Sequence, residues 1–188
     1  MAEGIAFADA AAFDAWLREH GETASEVWIR FAKKGSGEAS VTYDEALDAA
    51  LCHGWIDTQV RGLDERWYLQ RWTPRRPRSP WSKRNRAKAE ALIAAGRMQA
   101  AGLRQVEAAK ADGRWDAAYD GPAGATVPDD LRRALDASPA AAGCFAALSS
   151  RNRYAVLYRL QTAKRPETRA KRLRELVAML AEGRTLHP

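Results

Sequence analysis

The side chains best suited to bind a charged or planar partner are concentrated between Thr73 and Asn85. This segment combines three prolines with four arginines, one lysine and Trp81. Guanidinium groups form paired hydrogen bonds with carboxylates and phosphates, and they also stack on aromatic rings. A loop stiffened by prolines loses little conformational freedom on binding, and the backbone amides at the start of a following helix attract anions. The segment therefore predicts a binding site for a small anionic or aromatic molecule.

The motif Gly54-Trp55-Ile56-Asp57 supplies an indole and a carboxylate, and we expect a β-hairpin to bring it next to the loop. In this hypothesis Trp55, Trp81 and the arginines line a cleft, while Asp57 and Asn85 orient the ligand. The predicted ligand-binding residues are Trp55, Asp57, Arg75, Ser79, Trp81, Ser82 and Asn85. The predicted additional anion-binding residues are Arg76, Arg78 and Lys83. The alternative is a mechanical role, in which the prolines turn the chain and the arginines keep it soluble.

Groups that could support catalysis are sparse. His53 and Asp57 lie four residues apart and offer a base and a carboxylate, but Asp57 is equally suited to hold Arg75 or to cap the loop backbone. The phosphate-binding, dinucleotide-binding, metalloprotease and serine-hydrolase motifs are missing, and the histidines and cysteines lack the spacing of a zinc site. We therefore predict no catalytic residue, no cofactor and no metal. A cofactor-free enzyme that uses Asp57 and His53 stays open as an alternative.

Charge is distributed unevenly along the chain, whose formal net charge is +6. Residues 1–57 carry −7, whereas residues 58–88 and residues 151–174 each carry +8. Clustered lysines and arginines attract phosphates and carboxylates, so nucleic acid bound by these basic patches is an alternative partner. Against it, the familiar nucleic-acid recognition motifs are missing, and the acidic N-terminal third would repel a long duplex.

Composition predicts a globular, cytoplasmic protein. Hydrophobic residues make up 46% and charged residues 29% of the 188 residues, close to the averages for soluble domains. No apolar run approaches the roughly 18 to 20 residues of a transmembrane segment. The acidic first residues, including Glu3, Asp9 and Asp14, are unlike a signal peptide. The oligomeric state is left open by the sequence.

The hydrophobic pattern predicts the elements that position the loop. Asp9 is expected to cap an amphipathic helix, and Thr42 and Glu45 form a capping box for a helix over Tyr43–Cys52. The predicted strands, which are rich in alternating apolar or aromatic residues, are Glu26–Phe31, Trp55–Val60 and Arg66–Trp72. This arrangement assigns Trp67 and Trp72 to the sheet.

Helices dominate the pattern after the loop. Ser82 is expected to start a helix that ends near Ala95, and a second helix follows over Gln99–Ala111. Four more helix starts follow at Pro128, Ser138, Ser150 and Pro166. The predicted fold is α+β, with a small antiparallel or mixed three-stranded sheet, flanking helices and a C-terminal helical module. The predicted boundaries are an α+β domain over 1–119, a linker over 120–127 and the module over 128–188.

Short motifs spread along the chain indicate a family. They are Leu51-Cys52-His53-Gly54-Trp55-Ile56-Asp57, Thr73-Pro74-Arg75, Trp81-Ser82 with Asn85, Gly96-Arg97-Met98 with Gly102, Gly113-Arg114-Trp115, Asn152-Arg153-Tyr154, and Glu167-Thr168-Arg169 with Lys171-Arg172. In combination they resemble the YdeI/OmpD-associated bacteriocin-protection family over nearly the whole chain. His53 departs from that family, in which an aromatic residue more often precedes Gly-Trp-Ile-Asp.

The resemblance implies a role in tolerance of antimicrobial peptides or bacteriocins, without a defined reaction. Combined with the residues above, it favours a non-catalytic cytoplasmic protein that binds a small anionic or aromatic ligand, or sequesters a peptide toxin, in a cleft lined by tryptophan and arginine. Sequestration alone confers protection by mass action.

Overall fold

The computed structural model describes residues 4–188 and has the α+β fold that the sequence predicts. Its elements in chain order are α1 (Ala10–His20), β1 (Val27–Ala32), α2 (Tyr43–Cys52), β2 (Trp55–Gly62), β3 (Trp67–Pro74), α3 (Lys83–Ala94), α4 (Ala100–Ala111), α5 (Asp129–Asp136), α6 (Pro139–Ala147), α7 (Ser150–Gln161) and α8 (Pro166–Ala181). The chain divides into two compact units. The first contains the described chain up to Trp81 together with Asn85–Ala118, and the second contains Ser82–Arg84 and Tyr119–Pro188.

The sheet of the first unit is antiparallel throughout, with β3 between β1 and β2. Val27 lies opposite Trp72 and Phe31 lies opposite Tyr68, so the apolar side of β1 shares one face with these two aromatic residues of β3. Because side chains alternate along a strand, the intervening residues of both strands point to the opposite face. Asp64 closes the β2–β3 hairpin, since its carboxylate accepts backbone hydrogen bonds from Arg66 and Trp67 at 2.7 and 2.8 Å.

Helices α1 and α2 cover the apolar face of the sheet, and buried residues of α3 and α4 also contribute to the core of the first unit. The predicted caps are confirmed, since Asp9 accepts from the Ala12 amide and Thr42 forms a reciprocal capping box with Glu45. The buried side chains that fill this core include Phe13, Leu17, Ile29, Phe31, Leu47, Leu51, Trp55, Trp72 and Trp81. Aromatic residues contribute the largest buried areas, so they dominate the stability of such a core.

The second unit has its own core, formed by the four C-terminal helices. Leu131, Phe145, Leu160 and Leu180 are buried at its centre. The segment 120–127, predicted as a linker, lies in this unit, where Ala125 and Val127 pack against the core. Within residues 4–188, none of the helices is long and apolar enough to cross a membrane.

Candidate functional site

Arg75 and Trp81 form the inside of the proline-rich loop. The Arg75 guanidinium carbon lies 3.8 Å from the centre of the Trp81 ring, and Nη2 donates a hydrogen bond to the Pro80 carbonyl at 2.7 Å. The two residues are only 5% and 1% exposed. A guanidinium stacked on an indole and shielded from water is held firmly, because the cation–π attraction strengthens as both groups lose solvent. These two predicted site residues therefore support the loop from within.

A second pair of side chains supports the loop from the segment after α4. Arg114, 6% exposed, donates from Nη1 to the Ser79 carbonyl at 2.8 Å and from Nε to the Asp112 carboxylate at 2.7 Å. Trp115 packs edge-on against Trp81, with ring centres 4.9 Å apart. Ser79 thus contributes its backbone carbonyl to the structure of the loop. The loop backbone is therefore held in part by Arg114 and Trp115, which are distant from the loop in the sequence.

The Gly-Trp-Ile-Asp motif lies beside the loop, as the hairpin predicts. The Arg75 amide donates to the Gly54 carbonyl at 2.9 Å, and Trp55 lies opposite Pro74 in the ladder. Trp55 is 1% exposed, and its Nε1 donates to the Gly21 carbonyl at 3.1 Å. The Trp55 and Trp81 rings are thus packed into the interior, where an external ligand does not reach them without displacement of the surrounding core.

The two residues considered for catalysis have separate partners. The Asp57 carboxylate accepts a hydrogen bond from the Tyr43 hydroxyl at 3.2 Å, whereas His53 Nε2 lies 2.9 Å from Asp14 Oδ1. The neighbouring thiol of Cys52 is buried, and burial raises its pKa to about 11. A thiol with so high a pKa stays protonated at neutral pH and is a poor nucleophile.

The exposed basic groups of the loop in the first unit are Arg76 and Arg78. Arg78 adopts a left-handed backbone conformation with φ of 66°, which is unusual for a residue with a side chain. Of the remaining predicted residues, Asn85 is half-buried in the first unit, and Ser82 and Lys83 belong to the second. There Lys83 Nζ lies 2.8 Å from an oxygen of Asp120, so this cation is already paired.

The outer face of the sheet carries a group of residues that lie outside the predicted site. The Arg30 guanidinium lies 5.1 Å from the centre of the Trp67 ring, and the Arg61 guanidinium lies 4.5 Å from that of Trp28. In the sequence, the alternation of Trp28 and Arg30 with the apolar residues of β1 indicates that these two side chains share the outer face. The pairing of these residues with partners on β2 and β3 depends on strand register, which the alternation does not specify.

The second unit contains a groove of about 480 Å³. Tyr154 and Tyr158 contribute to its wall, with Arg151 and His187 nearby in the lining. The Tyr154 hydroxyl donates to the Asp120 carbonyl at 3.1 Å, and burial raises its pKa to about 12. The lining of the groove thus combines two tyrosines with basic and small side chains. Among residues 4–188 no cluster of three or more histidine, cysteine or acidic side chains has the arrangement of a metal site.

Two family models match separate parts of the chain. Residues 5–105 match the family described as a domain of unknown function (DUF8412), and residues 124–183 match the family described as Bacteriocin-protection, YdeI or OmpD-Associated. The second match confirms the predicted family over part of the chain, rather than over nearly all of it. The Gly-Trp-Ile-Asp motif and the proline-rich loop lie in the region of the first match. No curated protein and no solved structure matches the chain.

Proposed function

The chain belongs to the family described as a domain of unknown function (DUF8412), and on that premise we propose that it is a non-catalytic binding protein whose rigid basic loop holds an anionic ligand. The loop is defined here as residues 75–81. The observation that supports the proposal most directly is the difference in burial among the arginines of this loop. Arg75 is buried as a support, while Arg76 and Arg78 stay exposed on a backbone that is already fixed.

The backbone of the loop is held in place without a ligand, and such preorganisation favours affinity. Arg75 holds the Pro80 carbonyl, and Arg114 holds the Ser79 carbonyl, so the loop backbone is tied at two adjacent residues. Pro74, just before the loop, and Pro77 and Pro80, within it, restrict the backbone further. Beyond the loss of translational and rotational freedom that every association carries, binding to the exposed arginines therefore costs mainly the ordering of two side chains, at about 0.5 to 1.5 kcal/mol each.

The backbone at Arg78 gives independent support. A left-handed conformation costs roughly 1–2 kcal/mol for a residue with a Cβ atom, and glycine avoids this cost. Arginine occupies the position nevertheless, with φ of 66°. Strain at a surface position is expected where the side chain has a use, and two guanidinium groups close in sequence suit a carboxylate or phosphate.

Charge and burial together favour an anionic over an aromatic ligand at this loop. The surrounding stretch, residues 58–88, carries a net charge of +8 in the sequence, although Arg66, Arg71 and Lys88 are paired with acids outside it. The exposed Arg76 and Arg78 attract anions over a distance of about one Debye length. The indoles of Trp55 and Trp81, in contrast, are enclosed. If the ligand is a peptide toxin bound in the cytoplasm, its bound segment is acidic, because a cationic peptide would be repelled.

A change in melting temperature tests the proposal, because a ligand that binds the native state stabilises it by linkage. We expect inorganic pyrophosphate or a hexaglutamate peptide to raise the melting temperature of the wild-type protein. The rise should be lost in R76A/R78A and kept in R104A/R174A, which removes two exposed arginines elsewhere. Equal rises in both double variants would contradict the assignment to this loop.

A further inference from the structure

Two stacks of arginine on tryptophan lie on the outer face of the sheet in the first unit. Arg30 stacks with Trp67 across β1 and β3, and Arg61 on β2 stacks with Trp28 on β1. Trp28, Arg30 and Trp67 are half-buried, and Arg61 is exposed. The sheet therefore presents flat aromatic and guanidinium surfaces together with positive charge. This outer face is named the Trp/Arg face, and it is a different surface from the loop of residues 75–81.

Strand register sets the spacing of the stacks. Trp28 lies opposite Arg71, and Trp67 lies opposite Ala32, four residues farther along β1. At about 3.4 Å per residue, the backbone positions of the two tryptophans are about 14 Å apart along the strands. Between them, Leu69 lies opposite Arg30 on one side and opposite Arg61 on the other. Two aromatic positions are thus separated by a row that carries two cations.

The centre of the Trp/Arg face is apolar and covered. Leu69 is buried, and a Cβ atom on Gly4 would lie only 2.6 Å from Leu69 Cδ2, so the backbone of Gly4 packs on this side chain. The two stacks flank this contact.

Acidic and basic side chains are both present on this face, and Arg61 also lies close enough to Glu26 to help lower the pKa of that carboxylate. Glu26 accepts hydrogen bonds from Arg71 Nε at 2.8 Å and from Trp28 Nε1 at 3.2 Å, and the bonds from Arg71 hold the pKa of Glu26 below its usual range. Glu26 thus stays ionised and offsets Arg71. Arg30 is different, because its Nε is buried and has no hydrogen-bond partner within residues 4–188. Arg30 as a whole is half-buried, so an external anion would pair with the charge of its guanidinium rather than with the enclosed Nε.

We infer that the Trp/Arg face binds single-stranded nucleic acid, with bases stacked on the two arginine–tryptophan stacks and phosphates paired with Arg30 and Arg61. Stacking on aromatic side chains and salt-dependent contacts with the backbone are the two features of single-strand binding. In a duplex the faces of the bases are stacked on one another, so a duplex could form only the electrostatic contacts between its phosphates and the arginines. The same face would bind an acidic peptide through its cations alone, without a requirement for the indoles.

The test is fluorescence anisotropy of a labelled ten-nucleotide thymidine strand at 50 mM NaCl. Binding should weaken at least tenfold in R30Q/R61Q and in W28A/W67A, whereas W28F/W67F, which keeps aromatic rings, should recover part of the loss. The control R104Q/R174Q removes the same charge elsewhere. For the wild type, the logarithm of affinity should fall with the logarithm of salt concentration, and R30Q/R61Q should reduce that slope by about 1.4, at about 0.7 per phosphate contact.

Three results would overturn the inference. The first is the absence of binding by the wild-type protein at 50 mM NaCl. The second is unchanged affinity in W28A/W67A with weaker binding of hexaglutamate in R30Q/R61Q, which would assign the face to acidic peptides. The third is that R76A/R78A loses oligonucleotide binding while R30Q/R61Q keeps the wild-type affinity, which would assign the binding to the loop of residues 75–81. Circular dichroism of each variant shows that it is folded.

Discussion

The guanidinium of Arg75 stacks on the indole of Trp81 at 3.8 Å, and both side chains are removed from solvent. This relationship separates the loop into an inner support and an outer surface. The residue types that identify the loop in the sequence are tryptophan, proline and arginine. In the structure the tryptophan and one arginine hold the loop in shape, while Arg76 and Arg78 are the groups that reach solvent.

Removal of the Arg75 side chain should destabilise the first unit. In R75A the Trp81 ring loses its stacking partner, and the Pro80 carbonyl loses a charge-assisted hydrogen bond, so we expect a loss of about 2–4 kcal/mol in the free energy of unfolding. R75K keeps the charge but lacks the planar group, and it should recover less than half of this loss. Urea denaturation measures both. R76A, at an exposed neighbouring position, should stay within about 0.5 kcal/mol of the wild type.

Gly54 should not tolerate alanine. Its φ is +74°, and an added Cβ would lie 2.9 Å from the Ala101 carbonyl oxygen, so G54A combines backbone strain with a clash against α4. We expect a loss of more than about 2 kcal/mol. Gly35 provides the control, because its φ is +81° but the space around it is open. G35A should cost only the conformational part, about 1 kcal/mol. Equal losses in the two variants would show that the contact with Ala101 has no effect.

The capping box of α2 and the β2–β3 hairpin were predictable from sequence, because each depends on residues close together in the chain. Thr42 and Glu45 are three positions apart, and the hairpin needs only two aromatic runs and a turn. The burial of Trp81 was not predictable in this way. It depends on Trp115, 34 residues farther along, and on Arg75, whose position in a charged segment suggested exposure. Likewise, the stack of Arg61 on Trp28 requires the register of three strands.

The second unit should lose stability in acid through Asp130. Arg169 donates two hydrogen bonds to this carboxylate, at 2.7 and 2.9 Å, and they lower the pKa of Asp130 below its usual 3.8. Because the folded-state pKa is lower than the unfolded one, the stabilisation is complete above about pH 4 and is lost as pH falls through the folded-state value. Melting curves between pH 2 and 7 should show a smaller acid-dependent loss in D130N than in the wild type. Identical pH profiles would contradict this assignment.

Arg78 should show opposite effects on stability and binding. R78G removes the cost of a left-handed backbone but makes the unfolded chain more flexible, so the free energy of unfolding should stay constant or rise by up to about 1 kcal/mol. The same change removes one of two exposed guanidinium groups and should weaken the binding of pyrophosphate. Urea denaturation measures the change in stability, and titration calorimetry with pyrophosphate measures the change in affinity, both on the same protein preparation. A destabilised R78G with unchanged affinity would indicate a structural role for the side chain.

The most direct test of anion binding by the loop is the dissociation constant for a labelled hexaglutamate peptide at low salt, measured for the wild type, R76A/R78A and R104A/R174A. Each charge-assisted hydrogen bond contributes about 1.5–3 kcal/mol, so we expect at least a tenfold weaker affinity in R76A/R78A. The control should stay within about threefold of the wild type, since it loses the same net charge far from the loop in sequence. Equal affinities of the two double variants would contradict the proposal that the loop of residues 75–81 is the binding site.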